Sequence, residues 1–233
     1  MKCGGWLATF VATACVHAAD PAAKPGRALY TDDFNHGLGQ WVVEQRPGGS
    51  VTATESKMLI DDQDGCTVWF RLPLDAPVVI SYEATMSSAS RVSDLNCFWM
   101  ASDPAHPDDL FPPGRTRDGL FAKYDSLRTY YVGYGGNANT TTRFRRYDGT
   151  GARPLLPEHD LHGAEFLLKA GHAYQITLVA LSDGHVQFIR DGIVLFDVRD
   201  SAPLTRGWFG FRTVHSRIEL RNFRVSPPES STH

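Results

Sequence analysis

Residues 130–149 read YYVGYGGNANTTTRFRRYDG, a segment rich in the side chains that hold acids and move protons. If the arginine-containing half is a strand, alternation sends Arg143, Arg145 and Tyr147 to one face and Phe144 and Arg146 to the other. The planar fork of arginine grips a carboxylate through two hydrogen bonds, and tyrosine adds a stacking surface and a hydroxyl. Such a face suits a uronate. Arginines on a solvated edge strand also block edge-to-edge pairing, and that reading stays open. Removing the proton beside a uronate carboxylate takes a cation or amide to stabilise the developing charge, a base, and an acid for the leaving oxygen. Arg143, Arg145 and Asn137 supply the first role, and Tyr131, Tyr147 or a histidine the proton transfer. A tyrosine, with an ordinary pKa of about 10, becomes a base only where nearby arginines favour its phenolate.

Other groups compete for these roles. His159 and His162 stand in EHDLH and His215 follows Arg212 in FRTVH; each can titrate near neutral pH or simply be solvated. The spacing of His-Asp-Leu-His matches no metal motif. Hydrolysis would need two carboxyl groups flanking a glycosidic bond, and Glu83 is the leading candidate, mid-strand with Ser81 and Thr85 on its face. Glu83 can equally pair with an arginine such as Arg212 across a sheet. Asp103, Asp108 and Asp109 carry the oxygens that calcium takes, although Asp and Pro together also build turns. Trp69, Trp99 and Phe98 offer sugar platforms; Trp99 and Phe98 must face opposite sides, and Trp41 and Trp208 are expected in the core. Asn139-Thr140-Thr141 is a glycosylation sequon, meaningful in a eukaryotic secretory host.

The elements that must position these groups are short. Strand patterns run over 28–34, 41–44, 51–60, 66–72, 78–86 and 95–101, each bounded by Gly, Pro, Asp or Ser. Further on, 173–180, 185–190 and 193–198 are separated by Asp183-Gly184 and Asp191-Gly192, pairs that supply the positive φ of tight hairpin turns. A last pair, 207–213 and 217–225, precedes a polar tail over 226–233. No long amphipathic helix and no internal repeat interrupts this rhythm. The prediction is all-β: two antiparallel sheets packed as a jelly-roll sandwich over 28–225. The regular spacing fails between 102 and 170, where long loops on a rigid scaffold are expected to carry function.

A family resemblance accompanies this pattern. NCFWMA at 96–101, DDLF at 108–111, Lys123-Tyr124-Asp125, the arginine-rich strand and Gly210-Phe211-Arg212 occur in the order and spacing of the YesU-like family, which the chain resembles over 28–225. The resemblance implies a concanavalin A-like sandwich whose concave face takes a glycan, and an association with bacterial breakdown of rhamnogalacturonan and related acidic glycans. It adds Lys123, Tyr124 and Arg212 to the substrate-binding candidates and carries over no catalytic assignment. YYVGYGGN at 130–137 departs from the shorter family pattern, as a subfamily with its own ligand would.

Composition narrows the partners. The 233 residues carry 23 Lys and Arg against 26 Asp and Glu, a formal charge of -3, which argues against nucleic acid as an electrostatic partner. Residues 1–19 read as a secretory signal, with Lys2, an apolar stretch and a small-residue cleavage site too short to span a bilayer, and 20–27 as a flexible lead-in. The protein is therefore expected outside the cytoplasm, secreted or periplasmic, with lipid anchoring through Cys15 a weaker reading. Signal removal leaves Cys66 and Cys97, either as a disulfide or as two buried thiols. The leading expectation is lyase-type elimination on an acidic glycan without a required cofactor. A non-catalytic glycan-binding module and a hydrolase using Glu83 are the alternatives.

Overall fold

The computed structural model describes residues 20–229, so the signal reading of 1–19 and the end of the polar tail lie outside the described residues. Strands follow in the order β1 (Tyr30–Asp32), β2 (Trp41–Gln45), β3 (Ser50–Thr54), β4 (Lys57–Asp61), β5 (Cys66–Phe70), β6 (Leu74–Asp75), β7 (Val78–Met86) and β8 (Asn96–Ser102). They continue with β9 (Arg128–Gly135), β10 (Thr141–Asp148), β11 (Asp160–Leu161), β12 (Ala173–Ala180), β13 (His185–Arg190), β14 (Ile193–Arg199), β15 (Arg206–Thr213) and β16 (Arg217–Ser226). All pairings are antiparallel. One sheet runs β14-β13-β12-β7-β16-β4-β3 with β1 beside β16, and the other runs β11-β10-β9-β8-β15-β5-β2 with β6 beside β15. This is the expected all-β sandwich of two antiparallel sheets.

Local patterns explain most elements. In β7 the side chains of Ile80, Tyr82, Ala84 and Met86 are buried while Ser81, Glu83 and Thr85 are half-buried on the outside, the period-2 signature of a sheet with one wet face. The turn at Asp191-Gly192 takes positive φ at both residues (51° and 78°), as its composition requires. The single strand expected over 51–60 is instead the hairpin β3–β4, turned by Glu55 and Ser56 at φ 53° and 58°. Neither residue is a usual left-handed turn former, which is why composition did not reveal it. Residues 20–27, expected to be a flexible lead-in, are tied to the sandwich: Ala22 N donates to Gln187 Oε1 (2.6 Å), and Gly26 N to the Pro227 carbonyl (2.8 Å).

The inter-sheet core is aromatic, with Trp41 packed on Phe70, Phe211 and Phe223 at centroid distances of 5.6, 5.3 and 4.9 Å. Cys66 and Cys97 are separate buried thiols, since β5 and β8 flank β15 on opposite sides and that strand stands between them. Burial pushes the Cys97 thiol up to about 12, so neither its geometry nor its acidity makes it reactive. Unlike β7, strands β5 and β9 are buried almost throughout and β8 nearly so. Both faces of the second sheet are therefore covered.

Candidate functional site

The second cover is the segment 103–127, which crosses the outer face of the second sheet and builds a separate core there. Trp69 and Phe98 stack at 5.3 Å, Tyr124 stacks on Phe98 at 5.6 Å, and Leu110 and Leu127 close over them. Gly210 lets the Trp69 indole lie flat on the sheet, since a Cβ there would come within 2.5 Å of Trp69 Cε3. One buried carboxylate fastens the segment. Glu44, 4% exposed, accepts hydrogen bonds from Trp69 Nε1 (2.9 Å), the Tyr124 hydroxyl (2.9 Å) and Arg115 Nε (3.1 Å). Arg117 Nε stands 3.4 Å from the same carboxylate, near enough for charge attraction but out of line for a hydrogen bond. Arg117 also donates to the Leu110 carbonyl, so two arginines of the segment converge on one acid of β2.

Where this cover stops, a cleft of ≈ 500 Å³ opens over the same face. Its floor follows from register: Arg143 on β10 lies opposite Gly133 on β9, and Arg212 on β15 lies opposite both Asn96 on β8 and Thr67 on β5. One row further in, Arg145 faces Tyr131. Gly133 leaves a hollow beside the Tyr131 ring, whose Oη would be 3.3 Å from a Cβ added there. The walls are Leu120 and Phe121 of the cover, Arg153 of the 149–159 loop, and the β9–β10 turn at Gly136 and Asn137. That turn is strained. Asn137 (φ 53°, ψ 53°), Ala138 (φ 58°, ψ 43°) and Asn139 (φ 62°) are left-handed in succession, at a cost of roughly 1–2 kcal/mol per residue. Reciprocal bonds hold it, with Asn139 Nδ2 donating to the Leu168 carbonyl (2.9 Å) and Leu168 N to Asn139 Oδ1 (2.8 Å).

Charge is distributed unevenly in the cleft. Arg143 is gripped at both nitrogens by Asp160 of β11 (2.8 and 3.0 Å), and this pairing holds the Asp160 carboxyl below the usual range. Arg153 is paired likewise with Asp125 (2.8 and 2.7 Å). Arg145 is different: among the described residues its guanidinium donates only to the carbonyls of Arg153 (2.6 Å) and Pro154 (3.0 Å). Arg212 is 2% exposed, donates to Thr67 Oγ1 (3.3 Å) and the Gly119 carbonyl, and lies over Phe121 at 5.4 Å; no carboxylate pairs with it among the described residues. Arginine does not lose its proton in proteins, so burial leaves a cation whose direct partners among the described residues are dipoles and ring faces.

The structure brings Arg143, Arg145, Asn137, Tyr131 and Arg212 into this cleft and takes the other expected site residues elsewhere. Glu83 is on the outer face of the opposite sheet, hydrogen-bonded to Gln175 (2.8 Å), and pairs neither with Arg212 nor with any group of the cleft. Trp99 points into the inter-sheet core and is fully buried, so it is no sugar platform; Trp69 and Phe98 face outward beneath the cover. Trp41 lies in the inter-sheet core as expected, and Trp208 in the second core. Tyr124 is locked under the cover, and Lys123 is spent on Asp118 (2.9 Å) and the Thr116 carbonyl (2.8 Å). Tyr147 shares the face of Arg145, as alternation requires, but is buried against Tyr131, and burial raises its phenol to about 12. Burial raises Tyr131 as well, which reverses the expected phenolate. His215 is an exposed turn residue at φ 52°, while His159 packs edge-on against Phe144 at 5.0 Å and is lowered by burial. His162 pairs with Asp160 at 3.0 Å. Asp103 and Asp109 cap turns through the backbone N–H groups of Ala105 (2.9 Å) and Phe111 (2.7 Å), and among the described residues no three His, Cys, Asp or Glu side chains converge as metal ligands.

Sequence reasoning missed Arg153, Phe121 and Asp94, and used Asn96 only as part of a motif. Arg153 and Phe121 lie in irregular loops where no periodicity marks a face. Asp94 and Asn96, flanking Leu95 at the start of β8, did carry a readable alternation signal.

The family described as a domain of unknown function, DUF6250, matches residues 60–223. None of the curated proteins matches the chain. A Bacillus subtilis protein of unknown function with a galectin-like fold superposes with a TM-score of 0.70 at 20% identity, covering 89% of this chain and 100% of its own. The carbohydrate binding module CBM66 from Bacillus subtilis gives 0.55 at 11% identity (80% and 95% covered). The metal-free carbohydrate recognition domain of Emp46p gives 0.57 at 11% identity (90% and 97%). At such identities the likeness is one of fold. No helix among the described residues is long and apolar enough to cross a membrane.

Proposed function

The chain belongs to the DUF6250 family, and we propose that this member is a glycan-binding sandwich whose cleft holds the carboxylate of an acidic sugar without cleaving it. The observation that carries the reading is Arg212, a buried cation with no carboxylate partner among the described residues, which lines the same cleft as Arg145, an arginine three strands away that is held there by carbonyls. A carboxylate entering here meets two donor forks already held in place, so little ordering cost opposes binding. The sandwich fold supports the ligand class by analogy, since solved structures of this shape include a carbohydrate binding module and carbohydrate recognition domains. Binding fits better than elimination because the proton-transfer candidates are protonated by burial or displaced: Tyr131 and Tyr147 are raised, and Glu83 is on the other sheet. With residues 1–19 read as an export signal, the glycan is met outside the cytoplasm.

The test is calorimetric titration with oligogalacturonate and oligoglucuronate trimers and their methyl esters, alongside ultraviolet detection of an unsaturated product. The free acids are expected to bind, the esters to bind about tenfold or more weakly, and Arg145→Ala to lose about the same factor. Equal affinity for acids and esters, or an Arg145→Ala protein that binds as the parent does, overturns the assignment; an accumulating unsaturated product restores the lyase.

A further inference from the structure

We propose that Asp94 and Asn96 are the hydroxyl-reading pole of this cleft, hydrogen-bonding ring hydroxyls of the same uronic acid residue whose carboxylate rests on Arg145 and Arg212. The inference deepens the anionic-glycan reading and rests on it.

Asn96 is 4% exposed, lies directly opposite Arg212 in the sheet, and lines the cleft floor. Its amide nitrogen donates to Asp94 Oδ1 (3.3 Å), but its amide oxygen has no hydrogen-bond partner. An acceptor orphaned at that depth is uncommon in folded proteins, and it points to a donor supplied from outside the chain. Asp94, 8% exposed, adopts φ 62° and is fixed by Arg91 Nη2 (2.9 Å), by the Ser93 hydroxyl and through its own N–H to the Gly135 carbonyl (3.1 Å). Its place and orientation are thus set by the protein before any ligand arrives.

A carboxylate accepts only, whereas an amide can both donate and accept, and together they match neighbouring hydroxyls, each of which can do both. The two poles are close. Neighbouring strands are about 4.8 Å apart, so Asn96 stands one strand from Arg212 and two strands from β10, where Arg145 lies one row along from the position level with Asn96 and reaches toward the floor through its long side chain. Gly133, between Asn96 on β8 and Arg143 on β10, keeps the floor free of a side chain where the ring would lie. An acid without hydroxyls satisfies one pole and leaves the other unmet, and sites built to bond a hydroxyl discriminate strongly against ligands lacking it.

The test compares the galacturonate and glucuronate trimers with tricarballylate, a tricarboxylate without hydroxyls, by nuclear magnetic resonance titration. Asn96→Ala and Asp94→Asn are expected to weaken the better-binding trimer about tenfold or more and to leave tricarballylate within about twofold, while Arg145→Ala weakens both. Asp94→Asn keeps the side-chain shape, so the hydroxyl pole can still be overturned if Asn96→Ala fails to fold. Two results overturn that pole while leaving the anion site standing: trimer affinity unchanged in Asp94→Asn, or equal losses for trimer and tricarballylate. If the parent protein binds neither trimer, the anionic-glycan reading itself falls.

Discussion

Replacing Glu44 by Gln keeps the volume of the side chain and removes the buried charge on which Arg115 and Arg117 of segment 103–127 converge. In the parent, the carboxylate accepts from Trp69, Tyr124 and Arg115 at 2.9–3.1 Å and faces Arg117 at 3.4 Å. A glutamine has one acceptor oxygen and an NH2 group that only donates, so at least one of those donors is left facing an amide N–H. Arg117, 9% exposed, then depends on Asp103 at 3.5 Å for ion pairing. Removing one partner from a buried ion pair costs roughly 3–5 kcal/mol, and at 2–4 °C per kcal/mol for a chain of this size that lowers Tm by about 6–20 °C. Because the contacts are concentrated in one segment, part of the loss appears as local opening. Trypsin is expected to cut after Arg115 or Arg117 well below the melting temperature, with hydrogen exchange rising over 103–127. The opening also removes the Leu120 and Phe121 wall, so glycan binding falls with it. A Glu44→Gln protein that melts within about 1 kcal/mol of the parent and resists trypsin equally refutes the clasp.

Further outcomes can be checked with ordinary equipment. Ala138→Gly relieves one left-handed residue of the β9–β10 turn against a smaller entropic loss, so stability is expected to rise by about 1 kcal/mol, and a lowered Tm contradicts the strain. Gly133→Ala places a methyl 3.3 Å from the Tyr131 hydroxyl on the cleft floor; the fold should survive while trimer affinity drops about tenfold, and unchanged affinity moves the site elsewhere. Burial raises the phenols of Tyr82, Tyr124, Tyr130, Tyr131, Tyr134 and Tyr147, six of the eight tyrosines in the chain. A phenol raised in the fold contributes stability below the unfolded value of about 10 and loses it as pH climbs toward the folded one. Absorbance of tyrosinate at pH 11 should therefore report those six as protonated until the protein unfolds, and an early, complete titration of the folded chain rules that burial out.

Much of the scaffold was legible in the residues themselves. Alternation in VVISYEATM determined which side chains of β7 are buried, Asp191-Gly192 determined a turn, and TRFRRYD determined that Arg143, Arg145 and Tyr147 share a face opposite Phe144. These are local properties, set by the period of a single strand and the φ preferences of single residues. Which face meets water is a different matter. It depends on Glu44 reaching Tyr124 across 80 residues of sequence to pin the cover, and on β15 lying between β8 and β5 so that Arg212 meets both Asn96 and Thr67. Tyr147 and Tyr124 were readable as candidate groups, yet only packing decided that they are buried, and only sheet membership sent Glu83 to the far side. Alternation repeats every two residues and is written along the strand, whereas burial and strand neighbours arise from contacts between distant segments, which no local pattern encodes.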